Sequence, residues 1–588
     1  MPFDGITLYG VVQELKECLP GTKINKIYQP NNHEINLFVR NNHQEYKLLL
    51  SVDPINCRIH FTNNLEANPS SPPMFCMLLR KYLTGGKIDS ISQLGLERIV
   101  EIVVQNTDEF LQPIEYKLII EIMGKHSNII LLNSKNNTVI DSIKRISFNV
   151  NRHREVLPGE PYVNPPIVYK TNLLTVDANN IRTIIEEANK TKNNKTLSRW
   201  ILDKFAGFSG VSAQQVALMA GIDHVTPMTE LEDSDISKII QVLIELKENL
   251  LTSCFTPCVY NHYKKKEPLD FWLFPIIGLN YHKVFSDVSV NTAVDYFFNK
   301  KRKASALNIA KHHLESQITK HLKKQKKNLG FLEEKFKTTL ESQKYRLWGE
   351  ILSANLYKIK PGQSHVKLTN FYKPSEEVLI PLNEKLSPSH NAQVYFNRYK
   401  KLQSTEKKVR SRISKTQMEI NYLESTLLNI KDSETLEDLS AIQQELETFN
   451  YIKNPRKKMQ KLQSSDALQF KSSDGFIIQI GKNNRQNDIL TFKKANPDDI
   501  WLHTKNIPGS HVIIKCSKGT VSENTIREAA MLAAYFSKSR NSSNVPVDYT
   551  YVRYVKKPAG AKPGFVNYFH QKTIYVTPNK DIIEELSF

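Results

Sequence analysis

The sequence predicts a multidomain α+β protein: an N-terminal α+β domain, a helix-hairpin-helix module, a long antiparallel coiled-coil hairpin and a C-terminal α/β domain. Three observations carry that reading. A chain of 588 residues with 40% hydrophobic content can fold but exceeds what one core holds, so several domains are expected. Apolar residues in the middle third recur at heptad spacing, whereas both ends show short β-rich runs between turn signals. Finally, 80 Lys and Arg stand against 60 Asp and Glu, a formal charge of +20 that points to an anionic partner.

Residues 1 to about 170 read as the first domain. INLFVR, YKLLLSV, RIHFT, KIDSI, RIVEIVVQ and EYKLIIEIM are candidate strands. One helix interrupts them, PPMFCMLLRKYLTGG, which opens on prolines and stops at paired glycines. A hairpin turn is expected at Met123, Gly124, Lys125 and His126, ahead of the strand SNIILLN. The Pro-rich VLPGEPYVNPP (156–166) reads as a linker or a rigid crossover.

Residues 175–248 read as helices. Within them FAGFSGVSAQQVALMAG (205–221) places small residues around a tight turn. Such a turn can aim helix-start N–H groups at a phosphate, or can serve plain helix packing. The β-like stretch TPCVYNHYKKKEPLDFWLFPI, within 250–298, is expected to return the chain to the first domain.

Residues 299–435 change character. Tyr399, Leu402, Val409, Ile413, Ile420, Leu423, Leu427 and Ile430 keep a four-three heptad interrupted by Glu406 and Thr416. A matching stripe runs through Leu307, Leu314, Ile318, Leu322, Leu329, Leu332 and Phe336. Two such helices bridged by a mixed tip (346–390) predict a hairpin reaching about 60 Å. Between Lys300 and Lys327 ten Lys or Arg, including Lys301, Arg302, Lys323 and Lys324, face one acid, Glu315. A solvated face mixes signs, so this one suits phosphates alongside it.

The run ETFNYIKNPRKKMQKLQ leads to a C-terminal domain at 450–588. There FIIQIG and DILTF are expected as strands flanking a polar NNRQN turn. Ser522 caps a helix through ENTIREAAMLAAYFSKSR, and YTYVRYV and TIYVT close the unit. Lys493 and Lys494 precede Trp501 and His503, with Lys505 and His511 beyond them. Lys556, Lys557 and Lys562 share a Pro/Gly-stiffened loop without an acid. Cations interleaved with aromatics suit neutralising phosphates and stacking on bases.

Several chemistries are not expected. Gly475 to Gly481-Lys482 has five residues between its glycines and Asn483 where a phosphate loop needs Ser or Thr. No HExxH, GxSxG or dinucleotide fingerprint occurs, so neither a catalytic site nor a cofactor is assigned. Cys254, Cys258 and His262 lie at spacings of four but want a fourth ligand, so reduced thiols are read rather than a metal. The opening MPFDGITLYG lacks the charge cluster and apolar core of a signal peptide, and no apolar run of membrane-spanning length occurs. A cytoplasmic protein without a membrane partner is expected.

FDGITLYGVVQEL (3–15), INKIYQP (24–30), SPPMFCMLLRKYL (71–83), EIMGKHSNIILLN (121–133), NAQVYFNRYKKLQ (391–403), DIWLHTKNIPGSHVIIK (499–515) and VPVDYTYVRYVKKPAGAKPGFVNY (545–568) occur in the order in which similar motifs occur in the NFACT family. This family is also called the NEMF or RqcH family. The resemblance covers nearly the whole chain and implies an NFACT-N domain (1–170), the helix-hairpin-helix module, the coiled-coil middle region and an NFACT-R RNA-binding domain.

It also implies a function. Bacterial members act in ribosome-associated quality control, binding the large (50S) subunit that carries a stalled peptidyl-tRNA and its nascent chain. They bring alanyl-tRNA, so that the ribosome appends a C-terminal alanine tail marking the chain for degradation. Implied partners are rRNA and stalk-base proteins, and a small accessory RNA-binding factor; the protein itself would not be an enzyme. The family's Asp-Arg pair for tRNA recognition falls on Glu97 and Arg98, where the longer acid moves the carboxylate outward by about 1.5 Å. A strand-start ion pair is the other reading of those two residues. Glu121, Ile122 and Met123 match a second tRNA-linked segment, followed by Lys125 and His126; Ile122 and Met123 on their own read as core.

Two further function classes stand beside this one. A fibronectin-binding surface adhesin has support in the older labels of bacterial members. A DNA glycosylase-like enzyme would use Pro2 as an amine nucleophile, with Asp4 as its acid.

Overall fold

A computed structural model describes residues 3–41, 44–108, 110–149, 152–166, 169–190, 195–262, 268–278, 281–286, 288–373, 375–452, 466–516, 520–579 and 585–586. The chain divides into two compact units, 1–304 and 305–588.

The first unit opens with α1 (Gly5–Cys18), a helix that sequence reading missed. Its two glycines and β-branched residues are poor helix formers. Burial overrides them, because Ile6, Leu8, Val11, Val12 and Leu15 are fully enclosed. Asp4 caps it by accepting the Thr7 amide at 2.9 Å. There follow β1 (Lys23–Asn31), β2 (Glu34–Arg40), β3 (Glu45–Ser51), β4 (Arg58–Phe61) and α2 (Met74–Leu83). Next come β5 (Lys87–Gln93), β6 (Ile99–Thr107), β7 (Pro113–Glu121), β8 (Asn128–Asn133) and β9 (Thr138–Ser142). The nine strands form one antiparallel sheet in the order β4-β3-β2-β1-β5-β6-β7-β8-β9.

Of the two readings of this stretch, linker and rigid crossover, the linker fails over residues 156–162, which are held against the sheet. Val156 is 1% exposed, Val139 N–H donates to the Glu160 carbonyl at 2.8 Å, and Tyr162 N–H donates to Asn137 at 2.9 Å. The segment straps the β8–β9 end of the sheet because its apolar and aromatic side chains have a surface to cover there.

The helices α3 (Ala178–Lys190), α4 (Leu197–Lys204), α5 (Gly210–Met219) and α6 (Asp233–Leu251) follow. The α4–α5 turn packs against the start of α1. Gly207 (φ +85°) turns its carbonyl to accept both Gly5 N–H (2.9 Å) and Ile6 N–H (3.2 Å). Ser212 Oγ donates to Asp4 Oδ2 at 2.7 Å. These contacts favour the packing reading of that turn. The three-stranded sheet of β10 (Cys258–His262), β11 (Pro268–Trp272) and β12 (Tyr281–Phe285) brings Phe271, Trp272 and Leu273 into the same core as α1.

The helix α7 (Val290–Thr339) runs on into the second unit, followed by α8 (Ser342–Ala354), β13 (His365–Thr369), β14 (Glu377–Pro381), α9 (Pro388–Asp432) and α10 (Leu436–Thr448). The two heptad stripes are buried or half-buried along their length, and Leu314 and Ile318 share a core with Leu423 and Ile430. Between α7 and α9, Ile351, Leu352, Leu368, Ile380 and Ala392 make a small separate core.

The C-terminal part holds β15 (Leu468–Lys471), β16 (Ile477–Ile480), α11 (Asn484–Ile489), β17 (Ile500–Thr504), β18 (Val512–Ile514), α12 (Glu523–Tyr535), β19 (Val545–Tyr551), β20 (Val555–Lys556), β21 (Asn567–Tyr568) and β22 (Lys572–Val576). Six of these strands form a sheet ordered β15-β16-β18-β17-β19-β22, with α12 on one face. Helix α12 ends at Tyr535 and does not run to Arg540.

The expected DILTF strand and NNRQN turn are corrected. Residues 484–494 form α11 and one π-helical turn (Leu490–Lys494). Asn483 caps the helix by accepting Gln486 N–H at 2.8 Å, and Asn483, Asn484, Gln486 and Asn487 are buried, leaving Arg485 exposed. Asn484 Oδ1 accepts Ser425 Oγ–H at 2.9 Å, and Asn487 Oδ1 accepts His511 N–H at 3.1 Å. No described helix is long and apolar enough to cross a membrane.

Candidate nucleic-acid interfaces

At one end of the nine-stranded sheet the β5–β6 and β7–β8 turns meet. Ile99 pairs with Glu121, and Ile122 N–H donates to the Arg98 carbonyl at 2.9 Å. Gln93 Nε2 pins the first turn by donating to the carbonyls of Glu97 (2.8 Å) and Gly5 (3.0 Å). The second is a 3₁₀ turn, Gly124–His126, with Gly124 at φ +62°; Ser127 Oγ accepts Met123 N–H at 2.8 Å. The structure thus joins Arg98 to the 122–126 turn. Glu97 and Arg98 are half-buried, whereas Lys125 and His126 are exposed.

Glu121 and Ile122, expected as RNA contacts, are fully buried and cannot touch a macromolecule. Glu121 accepts hydrogen bonds from Arg154 Nη1 (2.7 Å), Arg154 Nη2 (2.5 Å) and Tyr162 OH (2.9 Å). A carboxylate at a buried strand end needs such partners. Met123 packs half-buried against Ile99, Ile119 and Ile130. Arg154 and Tyr162 escaped sequence reading. They lie 33 and 41 residues from Glu121, in a segment without periodicity.

On α7, Lys323 and Lys324 are exposed. Lys301 and Arg302 are half-buried and committed elsewhere, which corrects their expected freedom. Lys301 Nζ lies 5.6 Å from the Phe297 ring, and Arg302 Nη1 bonds Glu66 at 3.0 Å.

In the C-terminal domain, strand alternation turns Ile500 and Leu502 to α12, and Trp501 and His503 to the opposite face. That face is itself covered. Trp501 (0% exposed) packs with Leu490, Ile513, Val552 and Val555, and His511 is 1% exposed. Neither can stack on a base, so both are core residues. Half-buried His503 stacks on Trp501 at 5.7 Å, and His511 meets the indole edge-on at 5.3 Å. Burial pushes both imidazoles down, His511 to about 3 with His503 as a second cause.

Lys493, Lys494, Lys505, Lys556 and Lys557 are exposed. Lys494 lies 3.6 Å from Asp466, Lys505 lies 3.9 Å from buried Asp548, and Lys557 pairs with Asp488. Lys562 departs from expectation. Its ammonium sits 4.6 Å from the Tyr422 ring and 4.7 Å from the Tyr451 ring, and pairs with Glu419. Three groups of the coil side hold that cation, so it anchors the 556–564 loop rather than presenting charge. Exposed Tyr551, Arg553 and Phe569 were passed over. The alternation in YTYVRYV was the signal, read only as a strand.

Pro2 lies outside the described residues. Asp4, the acid that a glycosylase reading needs, is 4% exposed and spent on Thr7 and Ser212. Among the described residues no group of three His, Cys, Asp or Glu could hold a metal.

A profile of NFACT N-terminal and middle domains matches residues 4–465, and one of the NFACT protein RNA binding domain matches 467–568. The chain is 37% identical over 590 residues to the Rqc2 homolog RqcH of Bacillus subtilis, covering 100% of both chains. It is 32% identical over 129 residues to the human ribosome quality control complex subunit NEMF, covering 22% of this chain and 11% of that one. A solved N-terminal fragment of the fibronectin/fibrinogen-binding protein from Streptococcus suis is 30% identical. It covers 51% of this chain and 100% of the fragment, with a TM-score of 0.42.

Proposed function

The chain belongs to the NFACT family, and on that premise we propose that it is an RNA-binding factor of ribosome quality control. In this reading it binds stalled large (50S) subunits carrying peptidyl-tRNA and recruits alanyl-tRNA for C-terminal alanine tailing. The full-length similarity to an Rqc2 homolog is the observation that carries it. The charge of +20 and the separate sets of exposed cations give the physical means.

The residues divide the work by chemistry. Arg98 recognises tRNA: a guanidinium donates in a fixed fork, to phosphate or to a base edge, from a turn held on two sides. Lys125 and His126, one turn away, add charge and hydrogen bonding to the same ligand. Lys323 and Lys324 on the coil, and Lys493, Lys505 and Lys556 in the C-terminal domain, hold rRNA phosphates and set affinity rather than sequence preference. Peptide-bond chemistry belongs to the ribosome, and the chain acts as an adaptor in the cytoplasm.

Sequencing the RNA that co-purifies with the protein tests this. Enrichment of large-subunit rRNA together with alanine tRNA is expected, and a pool without tRNA enrichment overturns the reading. Arg98→Ala is expected to abolish tailing while leaving co-sedimentation with large subunits intact. Loss of both together would refute the division of labour.

A further inference from the structure

We propose that Tyr551, Arg553, Tyr554, Phe569 and His570 form a stacking platform for unpaired RNA bases. The proposal deepens the RNA-binding reading above and rests on it.

The platform follows from how β19 ends. Val552 and Val555 are drawn inward, to 8% and 6% exposure, against Trp501 and Leu490. A 3₁₀ turn (Val552–Tyr554) spans the two, and its geometry leaves Tyr551 and Arg553 outside. Its backbone is fixed, since Val552 N–H donates to Asp499 at 2.9 Å and Arg553 N–H to Pro497 at 3.1 Å. The neighbouring strip is tied to it. Phe569 N–H donates to the Tyr554 carbonyl at 3.2 Å, and Thr550 Oγ1 donates to the Phe569 carbonyl at 2.9 Å.

The result is a set of ring and guanidinium planes on rigid backbone. Arg553 lies 4.8 Å from the Tyr551 ring and 5.7 Å from the Tyr554 ring, and His570 lies 4.7 Å from Tyr554. Tyr551 is 44% exposed and Phe569 52%. Asp498 orients the guanidinium at 2.9 Å, and that acid is itself exposed, so a ligand can reach past it.

Exposed aromatics on one patch indicate a ligand, and its chemistry follows from the neighbours. Arg553 lies against two of the rings, and exposed Lys556 and Lys572 stand on the adjoining strands β20 and β22, which favours a polyanion over an apolar protein face. Within a duplex each base already has both faces covered by its neighbours. A π platform therefore gains most from bases that are splayed out, as in single strands, loops and bulges.

The test uses the full chain and two labelled probes followed by fluorescence anisotropy: a U-rich single strand of about ten nucleotides and a duplex of similar length. Tyr551→Ala combined with Phe569→Ala is expected to weaken single-strand binding about tenfold and leave duplex binding within about twofold, at unchanged melting temperature. Lys556→Gln should weaken both probes and lower the salt slope. Should the double variant misfold, Tyr551→Trp keeps the ring, and its emission should be quenched by the single strand but not by the duplex. Equal loss on both probes, no loss, or no selective quenching overturns the platform while leaving RNA binding in place. A wild-type chain that binds neither probe refutes the platform and the wider reading together.

Discussion

Arg154 forks the carboxylate of Glu121, giving two hydrogen bonds of 2.7 and 2.5 Å at the end of β7. The next residue, Ile122, donates its amide to the carbonyl of Arg98. A buried ion pair supplied by Arg154, just ahead of the 156–162 strap, thus stands one peptide behind the proposed tRNA-recognition turn.

Arg154→Ala leaves a carboxylate buried without its cation, a loss of about 3–5 kcal/mol. A lowered melting temperature is expected, together with weaker tRNA binding. Replacing both partners with apolar residues, Glu121→Leu with Arg154→Met, should cost less than Arg154→Ala alone. Thermal denaturation of the three proteins checks the order.

Asp270 on β11 has its carboxyl pushed up to about 6, chiefly by desolvation, with the Phe271 amide and Lys301 pulling it partly back. A raised folded-state value means the folded chain binds this proton more tightly than the unfolded one. The stabilising contribution is complete below pH 3.8 and is lost as pH rises through about 6. Asp270→Asn should therefore stabilise the first unit at pH 7 by about 3 kcal/mol, and the advantage should vanish below pH 4. Denaturation midpoints across that window measure it.

His60 and His511 are buried neutral, each near 3, mainly because burial disfavours the cation. Here the sign reverses. Their contribution is present above the usual histidine value of about 6.5 and is lost as pH falls toward 3. Each should remove about 1.4 kcal/mol per pH unit within that window. Stability against pH for His511→Gln should show a shallower acid limb than the parent protein.

Lys323→Glu with Lys324→Glu alters two exposed side chains on α7, so coil stability should be unchanged. Affinity for large subunits should fall, and the slope of log affinity against log salt should shrink by about 0.7–0.9 for each phosphate no longer neutralised. Sedimentation at several salt concentrations decides it.

Much of the fold was legible because its signals are local. The heptad stripes of α7 and α9 repeat within a few residues of themselves, and the N-terminal strands carry their own turns. Reading failed where a distant partner decided the state. The NNRQNDILTF segment became helical because Asn483 could cap it and Ser425, Thr426 and His511 could bond the buried amides of Asn484 and Asn487. Helix α1 forms against its own propensity because a core encloses it.

The sequence alone determined the family, the architecture and the presence of Arg98, Lys125, His126 and the exposed lysines. Only the tertiary structure decided which of them can meet a ligand. It withdrew Glu121, Trp501, His511 and Lys562 into partnered or apolar surroundings, and it brought out Tyr551, Arg553 and Phe569. The physical reason is that charge and aromaticity belong to a residue, whereas desolvation and partnership belong to its neighbours, which here lie tens to more than a hundred residues away.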